Sequence, residues 1–560
     1  MVTVERAVTA AAGVLAPGHL GELTGYIPFE LVDDVLEQTR TAERRTRLLP
    51  SRVGVYFVLA RALWPGLGCV RVWGKLTAAL EPLGLPVPSE KALRDLRMRL
   101  GEAPLRLLFE ALAGPAALPG TPGVRYRHWR TVAFDGCSSA KVPDRPRIVE
   151  WLGKIRYIQG EAGYPVLRVM ALCETGTRAL IGAVLGTAGD SETGCAAKLL
   201  HLIDDSMLLL DDRGFDSGEF IAAAAATGAQ LLVRLSAQRA PARQAVLDDG
   251  TYLTVISGVR LRVIAAQVTA DTASGARTGD RYLLATTFLN PRRHPAVQLT
   301  GLYHERWEIE LAFYALRHTL QDGLILRSQD PVSLRQEAWA QLAVYQALRR
   351  AMTDAAESVP GTDPDRVSFT AALETAREQV TAAAGIAPAD PRPGQGRIAA
   401  QALAALLPPR RPRTAPRKVE SPISRYSGRG GETKTAAAGR ITAVTVAIIP
   451  AAPGSGLRDR VLQLMRTSPH RAWHAREIAA GLDLPAGRDL SGDLSGWRKE
   501  GILTRPAPAT YALHPDWTPA GHAPFDTEPS ALTTRHWSLR TVAGRGDGAV
   551  AVARAPLGAR

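Results

Sequence analysis

Cysteine is scarce in this chain, four among 560 residues, and Cys69, Cys137, Cys173 and Cys195 are scattered. No C-x-x-C pair exists and no histidine stands at a zinc-ligand spacing from them. This excludes a disulfide framework and a structural zinc, and the four read as reduced, buried thiols in a reducing compartment. Long apolar runs are missing too. The Ala-rich stretch FIAAAAATGAQLLV that follows Glu219 is too short and too small-residued to span a bilayer, and no basic stretch precedes an apolar run at the N-terminus. The expectation is an intracellular, cytoplasmic protein with no membrane partner. No G-x-x-x-x-G-K-[ST] is present, which argues against an ATP-driven helicase or translocase and against a nucleotide cofactor. Gly394-Gln395-Gly396 with Ala399 imitates a dinucleotide fingerprint but follows ADPRP instead of a strand, so it is set aside.

What is plentiful is apolar surface and positive charge. With 46% apolar and 22% charged residues, a chain of this length packs several cores, and three or four domains are expected. The formal net charge is +14, and residues 391–440 carry eleven Lys/Arg against Glu420 and Glu432, so most of the excess sits in one arm. Such an arm seeks phosphates, or it is a solvated linker whose charge serves solubility; composition does not choose.

The texture changes four times along the chain. Residues 1–120 read as helical. Within them Ser89 is an N-cap for SEKALRDLRMRLG, which is expected to expose Lys91, Arg94, Arg97 and Arg99. A DNA-binding helix pair and a plain helical bundle fit this equally. Residues 125–350 alternate short β-rich runs with helical patterns, an α/β domain. Residues 351–455 pass from helix into the basic arm, over about 385–450. Residues 456–516 run helix, helix, helix and short apolar hairpin, the succession of a winged helix. This is either an added DNA-binding module, with Arg488, Arg498 and Lys499 near a recognition helix and Arg505 on the wing, or a small packing domain. The Gly/Ala/Arg-rich residues 517–560 are expected to be disordered.

Chemistry concentrates in LYHERWEIELAFYALRHTL. In one continuous helix starting near Leu299, Tyr303, Arg306, Glu310 and Arg317 fall within roughly 60° of one another, a polar stripe beside the apolar Leu302, Ile309, Phe313, Leu316 and Leu320. Two further acids sit where an α/β sheet would present them. Asp135 ends the run TVAF before Gly136, and Asp212 follows MLLLD before Arg213-Gly214-Phe215. Either alone is more often a structural cap on a strand end. Three carboxylates facing one cleft repel each other unless a divalent cation holds them, and oxygen ligands suit Mg²⁺ or Mn²⁺. Two such ions sharing the central aspartate suit an in-line phosphoryl transfer. The arginines would then hold flanking phosphates.

These residues resemble the DDE transposases of insertion sequences, in the insertion-sequence-four-like group whose third acid lies in Tyr-x2-Arg-x3-Glu-x6-Lys. Here Tyr303, Arg306 and Glu310 match, and Arg317 stands where the group has lysine. The first aspartate matches Asp135. The second, in Asp-x-Gly-Phe/Tyr, matches Asp212 in preference to Asp211 or Asp216. Glu305 and Glu308 lie roughly 140° and 160° around the helix from Glu310, which leaves Glu310 as the third acid. The resemblance implies an RNase H-like catalytic core with a β-rich insertion near 235–280, behind a helical N-terminal domain. It implies metal-dependent cleavage of double-stranded DNA at element ends and strand transfer into a target. Asp135, Asp212 and Glu310 would be catalytic and metal-binding, with two Mg²⁺ or Mn²⁺ ions, and Tyr303, Arg306 and Arg317 would bind DNA. A homodimer in a synaptic complex and a nucleoid-associated location follow from the same resemblance. Some similar proteins form a hairpin and stack a flipped base, but no tryptophan lies between Trp151 and Trp307 to do so. The competing expectations are an inactive or domesticated DNA-binding regulator derived from a transposase, and a general RNase H-like nuclease.

Overall fold

A computed structural model describes residues 19–79 (less 44 and 46), 87–382 (less 158–159, 273–276 and 305), 396–408, 441–451, 457–515 (less 483, 485–488 and 500), 538–542 and 550–554. Five helices come first: α1 (Phe29–Gln38), α2 (Ser51–Leu63), α3 (Cys69–Thr77), α4 (Glu90–Leu100) and α5 (Ala103–Leu112). The sequence of α2, SRVGVYFVLARAL, is apolar all round, and twelve of its 13 residues are buried, so it is the axis around which the others pack. Ser89 caps α4 by accepting the Ala92 N–H at 3.2 Å. Arg97 departs from the expected exposed row. It is buried, its Nε donating to Gln336 Oε1 at 3.2 Å and its Nη2 to Ser328 Oγ at 2.8 Å. It therefore ties the N-terminal helices to the chain beyond the sheet.

The sheet core is built from β1 (Trp129–Lys141), α6 (Pro146–Leu152), β2 (Val166–Glu174), β3 (Leu180–Gly186), α7 (Glu192–Ala197), β4 (Met207–Asp211), α8 (Gly218–Ala225) and β5 (Gln230–Arg234). Its spatial order is β5-β4-β1-β2-β3. β1, β2 and β3 pair antiparallel, while β1–β4 and β4–β5 are parallel. An antiparallel β1-β2-β3 meander, with α6 between its first two strands, followed by two helical crossovers to the parallel strands β4 and β5 makes this an RNase H-like fold. Side chains on successive strand residues point to opposite faces. Leu208, Leu210 and Ala133 accordingly join one core with the N-terminal helices, while Leu209, Val132 and Phe134 join a second with Phe215, Phe220 and Ile221.

After β5 the chain forms β6 (Tyr252–Ile256), β7 (Val259–Thr272) and β8 (Arg277–Thr286). β8 pairs antiparallel with β5, so this β-rich segment extends the catalytic sheet instead of standing apart from it. Next come α9 (Ala296–His304), α10 (Trp307–Tyr314) and the 27-residue α11 (Pro331–Glu357), capped by Asp330, whose Oδ1 accepts the Ser333 N–H at 2.9 Å. α11, α12 (Phe369–Ala382) and α13 (Arg397–Ala404) share the first core with α1 to α5. The N-terminal helices and the sheet face are thus one packed body. The basic arm lies outside the described residues over 409–440, and its last part is β9 (Ile441–Ile448), a strand added to β7.

A separate core holds α14 (Leu457–Arg466), β10 (Trp473–His474), α15 (Ala475–Gly481), α16 (Ser491–Lys499), β11 (Leu503–Ala507) and β12 (Thr510–Leu513), with sheet order β10-β12-β11. Beyond 515 only β13 (Ser538–Val542) and β14 (Val550–Arg554) are described. They pair with each other, and β14 pairs with β9. No helix among the described residues is long and apolar enough to cross a membrane.

Candidate active site

Asp135 lies within β1, opposite Ala171 of β2, and faces the side of the sheet that α9 and α10 cover. Gly136 behind it makes no turn, contrary to the expected strand end. The strand runs on to Lys141, and a Cβ on Gly136 would come within 3.1 Å of Met170 Cε and 3.3 Å of Glu192 Oε1. A side chain there would press on the ends of both side chains. The Gly136 N–H donates to Asp135 Oδ1 at 2.9 Å.

Asp212 is the first residue past β4. Its backbone is still extended, and its Oδ1 accepts the Gly214 N–H at 2.9 Å, capping a one-turn helix over Arg213–Phe215. Because the alternation of β4 continues into this residue, Asp212 shares the face of Asp135, and Asp211 is turned to the opposite side. Asp211 is fully buried, and burial pushes its carboxyl up to about 8. An acid held mostly neutral in a closed core is a poor cation ligand.

The helix expected to begin near Leu299 is not continuous. α9 stops at His304, and Arg306 closes a tighter turn, its N–H donating to Tyr303 O at 3.1 Å, before α10 begins. After Tyr314 the chain widens into a π-helical segment, Ala315–Leu320. Such widened turns frequently occur at functional sites. The breaks alter the polar stripe. Arg306 is only 5% exposed and reaches inward, its Nη2 at 3.5 Å from Asp212 Oδ2 and 3.4 Å from Glu310 Oε1. Tyr303 is buried beside it, edge-on to Tyr282 at 5.6 Å, and its hydroxyl has no hydrogen-bond partner among the described residues. Burial pushes that phenol far up, so it stays protonated. Arg317, on the π-helical segment, instead lines a cavity of about 180 Å³ with Lys141, His318, Phe313, Gln321 and Gln341.

Asp135, Asp212 and Glu310 therefore surround one buried guanidinium. Burial is the main force that raises the Asp135 carboxyl, to about 7. Arg306 opposes the rise, and Glu310 and Asp212 add to it. Arg306 is itself held firmly charged: burial opposes its charge, but the carboxyl groups of Asp212, Asp135 and Glu310 outweigh that. Three acids against one cation leave a negative excess. As they stand, no three His, Cys, Asp or Glu side chains among the described residues converge on one point closely enough to hold an ion. The donor set, carboxylate oxygens with too little countercharge, nevertheless fits a hard divalent cation.

Glu192 is an acid that sequence reasoning passed over. It opens α7, and its Oε2 would lie 3.2 Å from a Cβ on Gly214, as Oε1 would lie near one on Gly136. Its carboxylate thus sits between the two glycines that follow the two aspartates. Nothing in the local string SETG marks it, because only the path of the chain from β3 to β4 brings α7 over the ends of β1 and β4.

Comparison with known proteins agrees with this arrangement. Residues 17–110 match the family model for the insertion element 4 transposase N-terminal region, and residues 133–346 match that for the transposase DDE domain. The chain is 27% identical over 420 residues to the transposase InsG for insertion sequence element IS4 of Escherichia coli (strain K12), an alignment covering 73% of this chain and 93% of that protein. It is 26% identical over 198 residues to InsZ of the same organism, covering 35% of this chain and 64% of that one. A solved synaptic complex of piggyBac transposase with hairpin DNA overlaps 72% of this chain and 87% of its own at 10% identity and a TM-score of 0.37, a loose likeness from which nothing about the site follows. With an N-terminal region and a DDE domain both of this kind, the chain belongs to the IS4 family of DDE transposases and is an enzyme of DNA transposition.

Proposed function

We propose that Asp135, Asp212 and Glu310 are the catalytic acids of this transposase, and that they hold Mg²⁺ or Mn²⁺, two ions in the working complex, to cut element ends and join them to target DNA. Divalent-metal dependence comes with the DDE domain. The observation that carries the residue assignment is the convergence of these acids, from β1, the end of β4 and α10, on the single buried guanidinium of Arg306. When bound, the cations supply positive charge to the phosphoryl oxygens and make water or a 3′-hydroxyl a better nucleophile.

The chain's own residues set the stage. Arg306 bridges Asp212 and Glu310, and it is a positioning residue, because at 5% exposure it is too deep to meet a phosphate directly. Tyr303 walls the guanidinium in from below. Arg317 and Lys141, on the cavity beside α10, are the cations placed to take the phosphates that flank the cut. A chain that synapses two ends works as a homodimer on paired duplexes, and its place of work is the nucleoid.

The test is cleavage of a labelled duplex carrying the inverted repeats that flank the reading frame, with Mg²⁺ or Mn²⁺, by wild type and by Glu310→Ala. Nicking at the repeat boundary that vanishes in the variant supports the assignment, and the strand structure of the product reports whether a hairpin forms. Retained nicking by Glu310→Ala rejects this site. Binding without cutting by the wild type would move the function to a DNA-binding regulator.

A further inference from the structure

The C-terminal module has three helices and a three-stranded sheet in the order β10-β12-β11. The first short strand follows the first helix and pairs with the last strand, Trp473 opposite Tyr511. The hairpin of β11 and β12 then projects as a wing beyond the third helix. This is the connectivity of a winged helix, in which α16 occupies the place of the recognition helix. α16 buries Leu494 and Trp497. The helical period puts Gly492, Gly496 and Lys499 on the opposite, outward side, with Arg498 on its flank, while Ser495 Oγ lies 3.3 Å from the hydroxyl of buried Tyr511.

The module's arginines divide into two groups. Two of α14 dock the module, Arg458 Nη1 donating to Ala240 O at 2.5 Å and Arg466 Nη2 to Gln244 O at 3.2 Å, while Arg460 donates to Leu482 O within the module and Ala242 is buried in the module's core. Arg471 is paired with Glu477 at 2.9 Å. Arg498 and Lys499 on α16 and Arg505 on the wing are exposed, and none of the three has an ion-pair partner among the described residues. The wing tip, Arg505 to Pro508, is exposed throughout. On α16, a Cβ at Gly492 or Gly496 would meet nothing within 4 Å. The outward face of α16 is therefore open and small-residued, with exposed Arg498 and Lys499 on it and exposed Arg505, whose guanidinium lies 6.0 Å from the Tyr511 ring centroid, on the wing.

The docking also fixes where this face lies. Gly501, at the corner between α16 and β11, is against the β6–β7 turn, its Cβ position 3.5 Å from Gly258 N. The same turn brings the Ser257 side chain against Gly218 at the start of α8, six residues after Asp212. Asp216, four residues after Asp212, is tied to the other end of the insertion through Arg239 at 2.7 Å and the Ser236 N–H at 2.7 Å. One hairpin thus separates the module from the segment that carries the second acid.

We propose that this module is a second duplex-DNA grip, which lays α16 in a groove and the Arg505 wing along the backbone, and which the β6–β7 hairpin holds beside the acid site. The proposal rests on the transposase reading only for the identity of the nucleic acid; the surface stands by itself. The body that carries the acids holds the module, so the module adds phosphate contacts to DNA bound by this chain.

The test uses the full chain without divalent metal and a duplex several helical turns long with no element end, its binding followed by fluorescence anisotropy as salt is raised. Replacing Arg498, Lys499 and Arg505 together by alanine should flatten the slope of log affinity against log salt by about 2 to 3, since each phosphate contact releases about 0.9 counterion. Gly496→Glu is the second variant. It meets no atom of the fold, its backbone is not left-handed and it favours helix, so it adds only a carboxylate to the outward face. It should weaken binding about tenfold at low salt by repelling phosphates. Wild-type slopes and affinities in both variants overturn the proposal and leave that face to a protein partner. Asp135→Ala separates the two readings, because it should lose cleavage while keeping the wild-type salt slope.

Discussion

Asp135→Asn should make the metal-free protein more stable as the pH rises, while destroying cleavage. The wild-type carboxyl titrates at about 7 in the fold against 3.8 when free, so the folded state holds its proton more tightly than the unfolded chain does. An acid raised in this way penalises folding. The penalty begins as pH climbs through 3.8 and is complete above 7, where it amounts to about 4 kcal/mol. Asparagine has the same shape, its amide oxygen can still accept the Gly136 N–H, and it carries no charge to desolvate. Between pH 5 and pH 8 the advantage of the variant should grow by about 2 to 3 kcal/mol, two pH units being worth about 2.7. The assay is urea unfolding in EDTA at both values, comparing midpoints with the slopes checked for equality. Added Mg²⁺ or Mn²⁺ should then stabilise the wild type and have little effect on Asp135→Asn. A variant that is less stable at pH 8, or whose advantage is the same at both values, refutes the electrostatic reading of the site.

Two further outcomes test the frame around it. Glu337 of α11 is buried, and although burial opposes its charge, the guanidinium of Arg61, the Ser328 hydroxyl and Arg97 hold it below the usual carboxylate range. Glu337→Gln leaves those buried cations uncompensated and should cost about 3 to 5 kcal/mol in urea unfolding, with a lowered melting temperature; a loss under 1 kcal/mol would mean the cluster is not balanced by this residue. His19 is buried with Nε2 at 3.2 Å from Leu76 O, and burial lowers its pKa to about 4 from 6.5. Its contribution is complete above pH 6.5 and drains away as pH falls to about 4, up to about 3 kcal/mol, so His19→Gln should flatten the acid limb of the stability curve over that window.

The elements that sequence reasoning placed well are those whose signal is local. Ser89 caps a helix because a hydroxyl one residue before the first turn can meet a free N–H. The run MLLLD is a central strand because it is apolar on both faces, and Asp212 ends it beside a Gly-Phe turn. The helix around Glu310 was legible only as a helix. Its turn at Arg306 and its π-helical widening after Tyr314 accompany the approach of the guanidinium to Asp212 and the burial of Phe313 and Leu316, and no periodicity announces either. Arg97 was misplaced for a related reason. A basic residue on an amphipathic helix reads as solvated, and only the approach of Gln336 and Ser328, more than 230 residues away, shows otherwise.

The amino-acid string by itself carried three acids in motifs that resemble those of one family of phosphoryl-transfer enzymes, and a C-terminal succession of three helices and an apolar hairpin. Local order and side-chain type suffice for that, since capping, alternation and helical period act over a few residues. Tertiary structure decided what each charged residue does. It turned Asp211 into the core and Asp212 out of it, drew Arg306 under the acids, brought Glu192 between two glycines, and seated the module against the hairpin beside Asp212. These are long-range outcomes, set by which surfaces must be buried together and by how few cations are available to balance the acids that burial brings into contact.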